Sequence, residues 1–471
     1  MKKILLILLA SFLAGGACIA QITSTAISGK ISESGDKALV GATVVAEHLP
    51  TGTKYGTSTD PNGRYQIFNM KAGGPYNVSV SFIGFEAQKT NGVYLSLGNT
   101  FTYNFKLESA SNTLQEVAVR GARGQTIDKT GVATNIGKDI LENAPTLSRS
   151  LQDMTRLTPQ GGANAFAGSN YRYNNLSIDG AANNDAFGFV EPSGGASGSV
   201  ASGTPGNLAK SQPISLDAIQ ELQVALSPYT VTLGNFTGAS LNAITRSGTN
   251  QMAGSAYVFG RNQVISGLDK DSKFQDYTAG FRLGGAITKN KLFYFLSAEQ
   301  TNRNEPVPFA PTETSAIPLS LAKAISDTLQ KRYNYDAGSF GAIFLKNSST
   351  KLFGRIDFNL NDRTQIVLRH NYVKAAADQL SRATNILNFG GQGFTHHSST
   401  NSTVLEVKSR LSSSVSNNLI VGYSHIEDYR QIAGALFPHL EITHNTTNTI
   451  FAGAYVGDRE SLETFFKAKN K

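Results

Sequence analysis

The chain has 471 residues, of which 16% are charged and 46 are glycine, with 26 Phe, 17 Tyr, no Trp and a formal net charge of +8. The charged fraction is low against about 25% in ordinary soluble domains, which excludes a highly charged disordered protein and argues against an Ala/Glu/Lys-rich helical bundle. The positive balance is spread without a basic block, so composition gives no support to a nucleic-acid partner. Glycine, β-branched residues and aromatics together predict a mainly β chain.

Met1-Lys2-Lys3 forms a short positive start, residues 4–13 are apolar but for Ala10 and Ser11, and Ala14, Gly15, Gly16 and Ala17 follow. This order predicts a secretory signal peptide over 1–20, cleaved after Ala20; the apolar run is too short to span a bilayer. Cys18, the chain's one cysteine, would leave with it. Gly15 stands where a lipidation signal prefers Leu, so Cys18 reads as incidental. The mature chain is then expected to use neither disulfides nor thiol chemistry. No other apolar run reaches 18 residues, so a spanning structure has to be a β-barrel.

Residues 22–108 carry short alternating runs (Ile27 and Ile31; Val44 and Val45; Tyr65, Ile67 and Phe68; Val78, Val80 and Phe82) separated by turn signals at Ser34-Gly35-Asp36, Thr51-Gly52, Asp60-Pro61-Asn62-Gly63 and Gly73-Gly74-Pro75. That spacing predicts a small Ig-like β-sandwich. The residues around Gly29, Gly41-Ala42-Thr43-Val44, Thr59 to Tyr65 and Val80 to Phe85 resemble the carboxypeptidase regulatory-like domain, an accessory sandwich. It has no H-E-x-x-H zinc signature, and its lone histidine, His48, is expected at the surface.

Residues 115–247 follow a polar linker. Leu114 to Gly121 roughly alternates and reads as a short strand of the kind that adds to a partner's sheet edge. Leu147, Leu151 and Met154 share a helical face, stopped by Pro159 and Gly161-Gly162. Residues 173–180 read as a strand and turn, Ser215 as the N-cap of a short helix running into a strand that ends at Val224, and residues 234–248 as glycine-punctuated strand. The blocks Ile178-Asp179-Gly180, residues 218–224 and residues 238–246 resemble the plug domain of TonB-dependent outer-membrane receptors, in particular Oar-like receptors with an N-terminal sandwich. The resemblance implies an α+β plug. It places a TonB box at Glu116, Val117, Ala118 and Val119, which equally fit a first structural strand of the plug. It also implies a ligand-facing loop with Asp179, Asn183, Asn184 and Asp185, a cluster that any Asx-rich turn also produces.

From residue 250 the alternation changes scale. Tyr277, Ala279, Phe281, Leu283 and Ile287 oppose Thr278, Gly280, Arg282 and Gly284. Leu352, Gly354, Ile356, Phe358 and Leu360 oppose Phe353, Arg355, Asp357 and Asn359. Leu405, Val407 and Leu411 oppose Glu406, Lys408 and Arg410, and Leu419, Val421 and Tyr423 continue the theme. Runs of about 9–11 residues with charge on one face predict strands of a transmembrane antiparallel β-barrel. Between Asn302 and Thr350 a long outer loop is expected, opening on Pro306, Pro308 and Pro311 and carrying a helix with Leu321, Ile325 and Leu329 in line. Plugged transporters have 22 strands, which takes about 400 residues or more. Seven or eight strand candidates lie over 250–471, and the terminal residues Phe466 to Lys471 are charged rather than a closing aromatic strand. The expectation is the N-terminal part of a barrel, in a truncated chain.

Enzyme signatures are missing: there is no G-x-S-x-G, Walker A or H-E-x-x-H. Three S-x-x-K strings (Ser34-Lys37, Ser320-Lys323, Ser348-Lys351) and Lys129-Thr130-Gly131 have no S-D-N to accompany them. His396 and His397 are adjacent and face opposite ways on a strand, and His439 with Glu441 supplies two ligands where a zinc site needs three or four. No catalytic residue, cofactor or metal is therefore expected. The resemblance implies a receptor that takes up an unknown extracellular ligand across the outer-membrane lipid, driven through TonB and its inner-membrane energising complex. The alternatives are an outer-membrane adhesion or binding protein without transport, and a nonfunctional fragment.

Overall fold

In the computed structural model the described residues are 23–110, 125–126, 131–146, 149–161, 166, 168–169, 173–184, 204–228, 233–234, 236–267, 274–412 and 415–455. The expected signal peptide over 1–20 and Glu116, Val117, Ala118, Val119, Leu147 and Asp185 lie outside them.

The alternating runs at the start of the described chain form two packed sheets. Strands β1 (Thr25–Glu33), β4 (Arg64–Met70), β7 (Thr100–Thr102), β8 (Phe105–Leu107) and β9 (Gln125–Thr126) make one, with β1 antiparallel to β4 and parallel to β7 and β8. Strands β2 (Thr43–His48), β3 (Thr53–Ser58), β5 (Gly73–Ser81) and β6 (Gln88–Leu95) make the other, in the order β3-β2-β5-β6. Ile27, Ile31, Val44, Ile67, Tyr76, Val78, Val80 and Leu107 meet between them, all 2% exposed or less. The Asp60 to Gly63 turn works by chemistry the sequence states. Asp60 Oδ1 accepts from the backbone N–H groups of Asn62 and Arg64, and Gly63 takes φ +72° where a β-carbon would strike the Ile31 carbonyl oxygen at 2.6 Å. His48 departs from expectation. It is buried at 5% exposure, its Nδ1 2.7 Å from Thr51 Oγ1 and its ring 4.8 Å from that of Tyr76. Its strand turns this position inward, and a tight Thr51 contact meets the polarity a buried imidazole brings.

The central domain is a mixed five-stranded sheet, β10-β13-β14-β11-β12, built from β10 (Gly131–Gly137), β11 (Asn175–Ile178), β12 (Ala181–Ala182), β13 (Ile219–Pro228) and β14 (Ser240–Thr245). Helices α1 (Lys138–Asn143) and α2 (Leu151–Thr155) flank it. The helix expected around Leu147, Leu151 and Met154 is a short one, capped by Ser150 and Asp153 acting reciprocally, and Leu151 and Met154 enter the core. Ser215 caps a single 3-10 turn, Leu216–Ala218, that runs directly into β13. Strand parity divides the sheet's faces: Leu222, Val224, Leu241 and Ala243 enter the apolar core, while Glu221 and Gln223 point the other way, toward the sandwich.

The last body is a seven-stranded antiparallel sheet in the order β15-β16-β17-β18-β19-β21-β22. Its strands are β15 (Ala253–Asn262), β16 (Gln275–Thr288), β17 (Leu292–Pro306), β18 (Phe344–Asn361), β19 (Thr364–Gln379), β21 (Phe394–Arg410) and β22 (Ser416–Ile432). The two faces divide as the alternation requires. Phe281, Leu352, Ile356 and Leu419 are 44–52% exposed, whereas Asp357 and Arg369 on the opposite face are 1% exposed. Phe295 and Phe353 belong to the central apolar core, so wall and central domain share one hydrophobic cluster. This is part of a barrel wall wrapped around the α+β domain.

Two expectations need correcting here. Most strands have 14–18 residues rather than 9–11, because pairing continues beyond the roughly ten residues a bilayer requires. For the same reason the loop after β17 is shorter than its composition implies: Asn302 pairs with Ser348 and Pro306 with Phe344, leaving residues 307–343 as the connection. Its helix α3 (Leu319–Tyr333) packs on a separate three-stranded sheet of β20 (Ile386–Asn388), β23 (Leu440–His444) and β24 (Asn448–Ala452), with Ile317, Leu329, Leu387, Phe389 and Ile450 forming a small core over the long-loop end of the wall. No helix among the described residues is long and apolar enough to cross a membrane.

Candidate functional site where the central domain meets the wall

The central domain reaches the wall through charge as well as apolar contact. Asp179 and Gly180, at φ 44° and 76°, form a two-residue hairpin turn between β11 and β12. This geometry drives Asp179 into the wall. Its Oδ1 accepts from the Thr245 backbone N–H at 2.8 Å, its Oδ2 from the Thr245 hydroxyl at 2.6 Å, and Arg369 and Arg355 lie 2.9 and 3.6 Å from Oδ2. Arg355 is in turn held by Asp357 through two hydrogen bonds of 2.9 and 2.7 Å. Arg355 and Arg369 are register partners near the short connection that joins Asn361 to Thr364. Asp179 is thus a buried anchor on the short-turn half of the wall, not an open ligand-facing residue. Asn183 is also buried, its side-chain amide without a hydrogen-bond partner among the described residues, and Asn184 bridges the Leu176 N–H and Asn175 Oδ1 at 2.7 Å each. Asp179 and Asn184 are thus taken up by contacts of the fold itself.

Three further links fix the seating. Glu299 of β17 accepts from Ser215 and Tyr257 at 2.8 Å each and from Lys351 at 2.6 Å. Glu142, at the end of α1, accepts from Arg246 and Arg282 at 2.8 Å each. Burial works against the charge of Glu142, but the two guanidinium groups hold its carboxyl below the usual range. Asp217, paired with Arg149 at 2.8 Å inside the central domain, lies 3.7 Å from Arg282 of the wall. Gly248 lets the chain pass from β14 to the wall, for a β-carbon there would lie 2.4 Å from the carbonyl oxygens of Gly285 and Tyr294.

On the long-loop half of the same contact there is a cavity of about 270 Å³. Arg149, Lys210 and Gln212 line it from the central domain, and Phe259, Arg261 and Asn347 from the wall. Its cations have acids nearby: Arg261 is bonded to Asp276 at 2.9 and 3.0 Å, and Lys210 lies 3.9 Å from Glu305, to which Arg303 is also paired. Burial also draws the Lys210 ammonium below its usual range. Asn347 is buried and its amide has no hydrogen-bond partner, leaving a donor and an acceptor available. Arg149 stacks over Tyr257 and Phe259 at 4.7 and 4.5 Å from the ring centroids. A second cavity, of about 590 Å³, lies at the short-turn end among Lys71, Lys138, Asp179, Gln220, Arg355 and Lys408.

The sequence placed Arg355, Asp357, Glu406 and Lys408 on the charged strand faces, but it did not single out Glu299, Arg369 or Asn347. The signal for those three is the same alternation, read one strand further. His396 and His397 face opposite ways as expected, His396 buried and His397 stacked on Tyr429. No group of three or more His, Cys, Asp or Glu side chains among the described residues is placed to hold a metal ion.

Residues 26–108 match the family model of the carboxypeptidase regulatory-like domain, and residues 244–336 that of an outer membrane beta barrel domain. The chain is 25% identical over 316 residues to the TonB-dependent transporter Oar of Myxococcus xanthus, covering 61% of this chain and 27% of that one. It therefore spans about a quarter of that curated relative. Among solved structures, it is similar to the outer membrane transporter YddB from Escherichia coli (TM-score 0.47, 12% identity, 68% of this chain and 43% of that one) and to the siderophore receptor PirA from Pseudomonas aeruginosa (TM-score 0.42, 13% identity, 64% and 42%). The chain is a homologue of the TonB-dependent transporter Oar, carrying a carboxypeptidase regulatory-like domain ahead of an outer-membrane β-barrel domain.

Proposed function

We propose that the chain is the N-terminal part of an outer-membrane receptor that takes up an extracellular ligand with energy supplied through TonB. In this reading residues 1–20 are a cleaved signal peptide, 22–108 the regulatory-like sandwich, 115–247 the plug, and 250–471 the first part of the barrel. The observation that carries it is the seating of the central sheet on the charged inner face of the wall. Asp179, Glu299 and Glu142 hold it there through ion pairs and hydrogen bonds, beside the apolar contact of Phe295 and Phe353, and a pulling force can undo such noncovalent contacts.

The cavity lined by Arg149, Phe259 and Asn347 is then the place where a ligand arriving from the long-loop side meets both plug and wall. TonB would pair with residues 116–119 by strand addition, and the force would reach the plug through the chain that follows. No nucleotide site is needed in this chain, because the energy comes from the inner-membrane proton gradient.

The test is titration of the purified receptor, in detergent micelles, with the periplasmic domain of TonB, for the parent and for a deletion of residues 115–121. Binding by the parent and none by the deletion is the expected result. Equal binding by both would remove Glu116 to Val119 as the box, and no binding by either would remove the energised-uptake reading.

A further inference from the structure

The regulatory-like sandwich holds two other bodies at once. Toward the central sheet it offers Leu97, fully buried in a small apolar contact with Ala72 and Ile244. Both backbone groups of Leu97 are taken by side chains of that sheet: its N–H donates to Glu221 at 3.0 Å, and its carbonyl accepts from Gln223 at 2.9 Å and Asn135 at 3.1 Å. Toward the wall, Thr23 donates to Glu406 at 2.5 Å, Asn359 donates to Thr53 at 3.0 Å, the Asn250 N–H donates to the Pro50 carbonyl at 2.8 Å, and Asn69 reaches the Asn417 carbonyl at 3.3 Å. Lys71 donates to the Ser247 hydroxyl where the central domain passes into the wall. All the wall contacts lie at the short-turn end, where residues 289–291 connect β16 to β17.

We infer that the sandwich is a releasable staple that pins the central sheet in the wall from the short-turn side. The inference rests on reading that sheet as a plug. One folded body carries both sets of contacts, so the sheet can move out toward the short turns only after its own bonds to Leu97 break or after the sandwich lets go of the wall. The interface is made largely of single hydrogen bonds around one small apolar contact, which suits reversible release better than a continuous hydrophobic core does.

The test uses the full chain in detergent micelles and follows amide hydrogen exchange of β13 and β14. Thr53→Ala combined with Asn359→Ala removes a sandwich–wall bond, along with the Asn359 bonds to Asn290 and Gln365 inside the wall, and touches no residue of the central sheet. The staple predicts exchange in β13 and β14 about five- to tenfold faster than in the parent, the loss expected of one such bond. A second protein, Thr53→Cys with Asn359→Cys in a Cys18→Ala background, is compared with itself before and after bridging by a short bifunctional thiol reagent. Bridging is expected to slow exchange in the same two strands. Exchange changes confined to the sandwich and the short turns, with β13 and β14 at parental rates in both proteins, would overturn the staple. TonB enters neither readout, so coupled exchange in a protein that fails to bind TonB would support the staple while removing the transport reading.

Discussion

Arg369 of the wall and Asp179 of the central domain lie 2.9 Å apart, with 1% and 6% of their side chains exposed. The pair is buried on both sides. Arg355 also faces Asp179, but it pairs with Asp357 as well, whereas Asp179 is the acid that Arg369 pairs with.

Removing that carboxylate strands a buried guanidinium. Asp179→Ala is expected to destabilise the folded chain by about 3–5 kcal/mol, the range for breaking a buried ion pair from one side. Asp179→Asn, which keeps a hydrogen-bond acceptor for the Thr245 N–H, should cost less. Denaturant midpoints followed by circular dichroism order the two. Equal stability of Asp179→Ala and parent would mean that the pair does not hold the domain.

Burial raises the Glu221 carboxyl from 4.5 to about 7, against hydrogen bonds that favour its charge. The folded state then holds the proton more tightly than the unfolded chain. Its stabilising contribution is complete below pH 4.5 and is lost as pH rises through 7. Glu221→Gln removes that titration while retaining an oxygen for the Leu97 N–H. Its stability relative to the parent should rise between pH 5 and pH 8, read from denaturant midpoints at the two values. A flat difference would contradict the buried, protonated acid.

His48 has the opposite sign. Burial, with Lys71 nearby, lowers its pKa from 6.5 to about 3. Its contribution is present above pH 6.5 and is lost as pH falls from there toward 3. His48→Gln is expected to flatten that acid limb. Sandwich unfolding at pH 4 and pH 7, followed by exchange of the β2 and β5 amides, checks it.

The wall's two faces make a pair of contrasting predictions. Ile356 faces away from the central domain at 44% exposure, and Phe353 is buried in the shared core at 5%. Ile356→Arg should cost about 2–4 kcal/mol if the site lies near the bilayer midplane, and far less in micelle-free conditions where that face meets water. Phe353→Ala should cost about 3–5 kcal/mol in either setting, because the cavity opens inside the protein. Folding into lipid vesicles, titrated with urea, separates the two. Similar penalties in lipid and in water for Ile356→Arg would exclude a lipid-facing role for that side of the sheet.

Local chemistry in the sequence determined much of this molecule. Alternation assigned Leu352, Ile356, Arg355 and Asp357 to their faces because side-chain direction in a strand depends on parity alone. The Asp60 to Gly63 turn, the Ser150 and Ser215 caps and the helix through Leu321, Ile325 and Leu329 likewise follow from short-range rules. What only the tertiary structure decided is which distant group each polar residue meets. Asp179 lies in an Asx-rich turn that looks open in sequence, yet its partners are Arg355 and Arg369 of the wall, and no local pattern links them. His48 is buried because its strand's parity places it beside Tyr76. Leu97 looks like an ordinary apolar residue after a strand, and only docking brings Glu221, Gln223 and Asn135 to its backbone. Strand pairing beyond the membrane-length core, as between Asn302 and Ser348, is equally a property of the partner strand. Periodicity is a property of one segment, but ion pairs and docking contacts require two segments far apart in the chain to meet at a few ångströms, and that is set by the packing of whole domains.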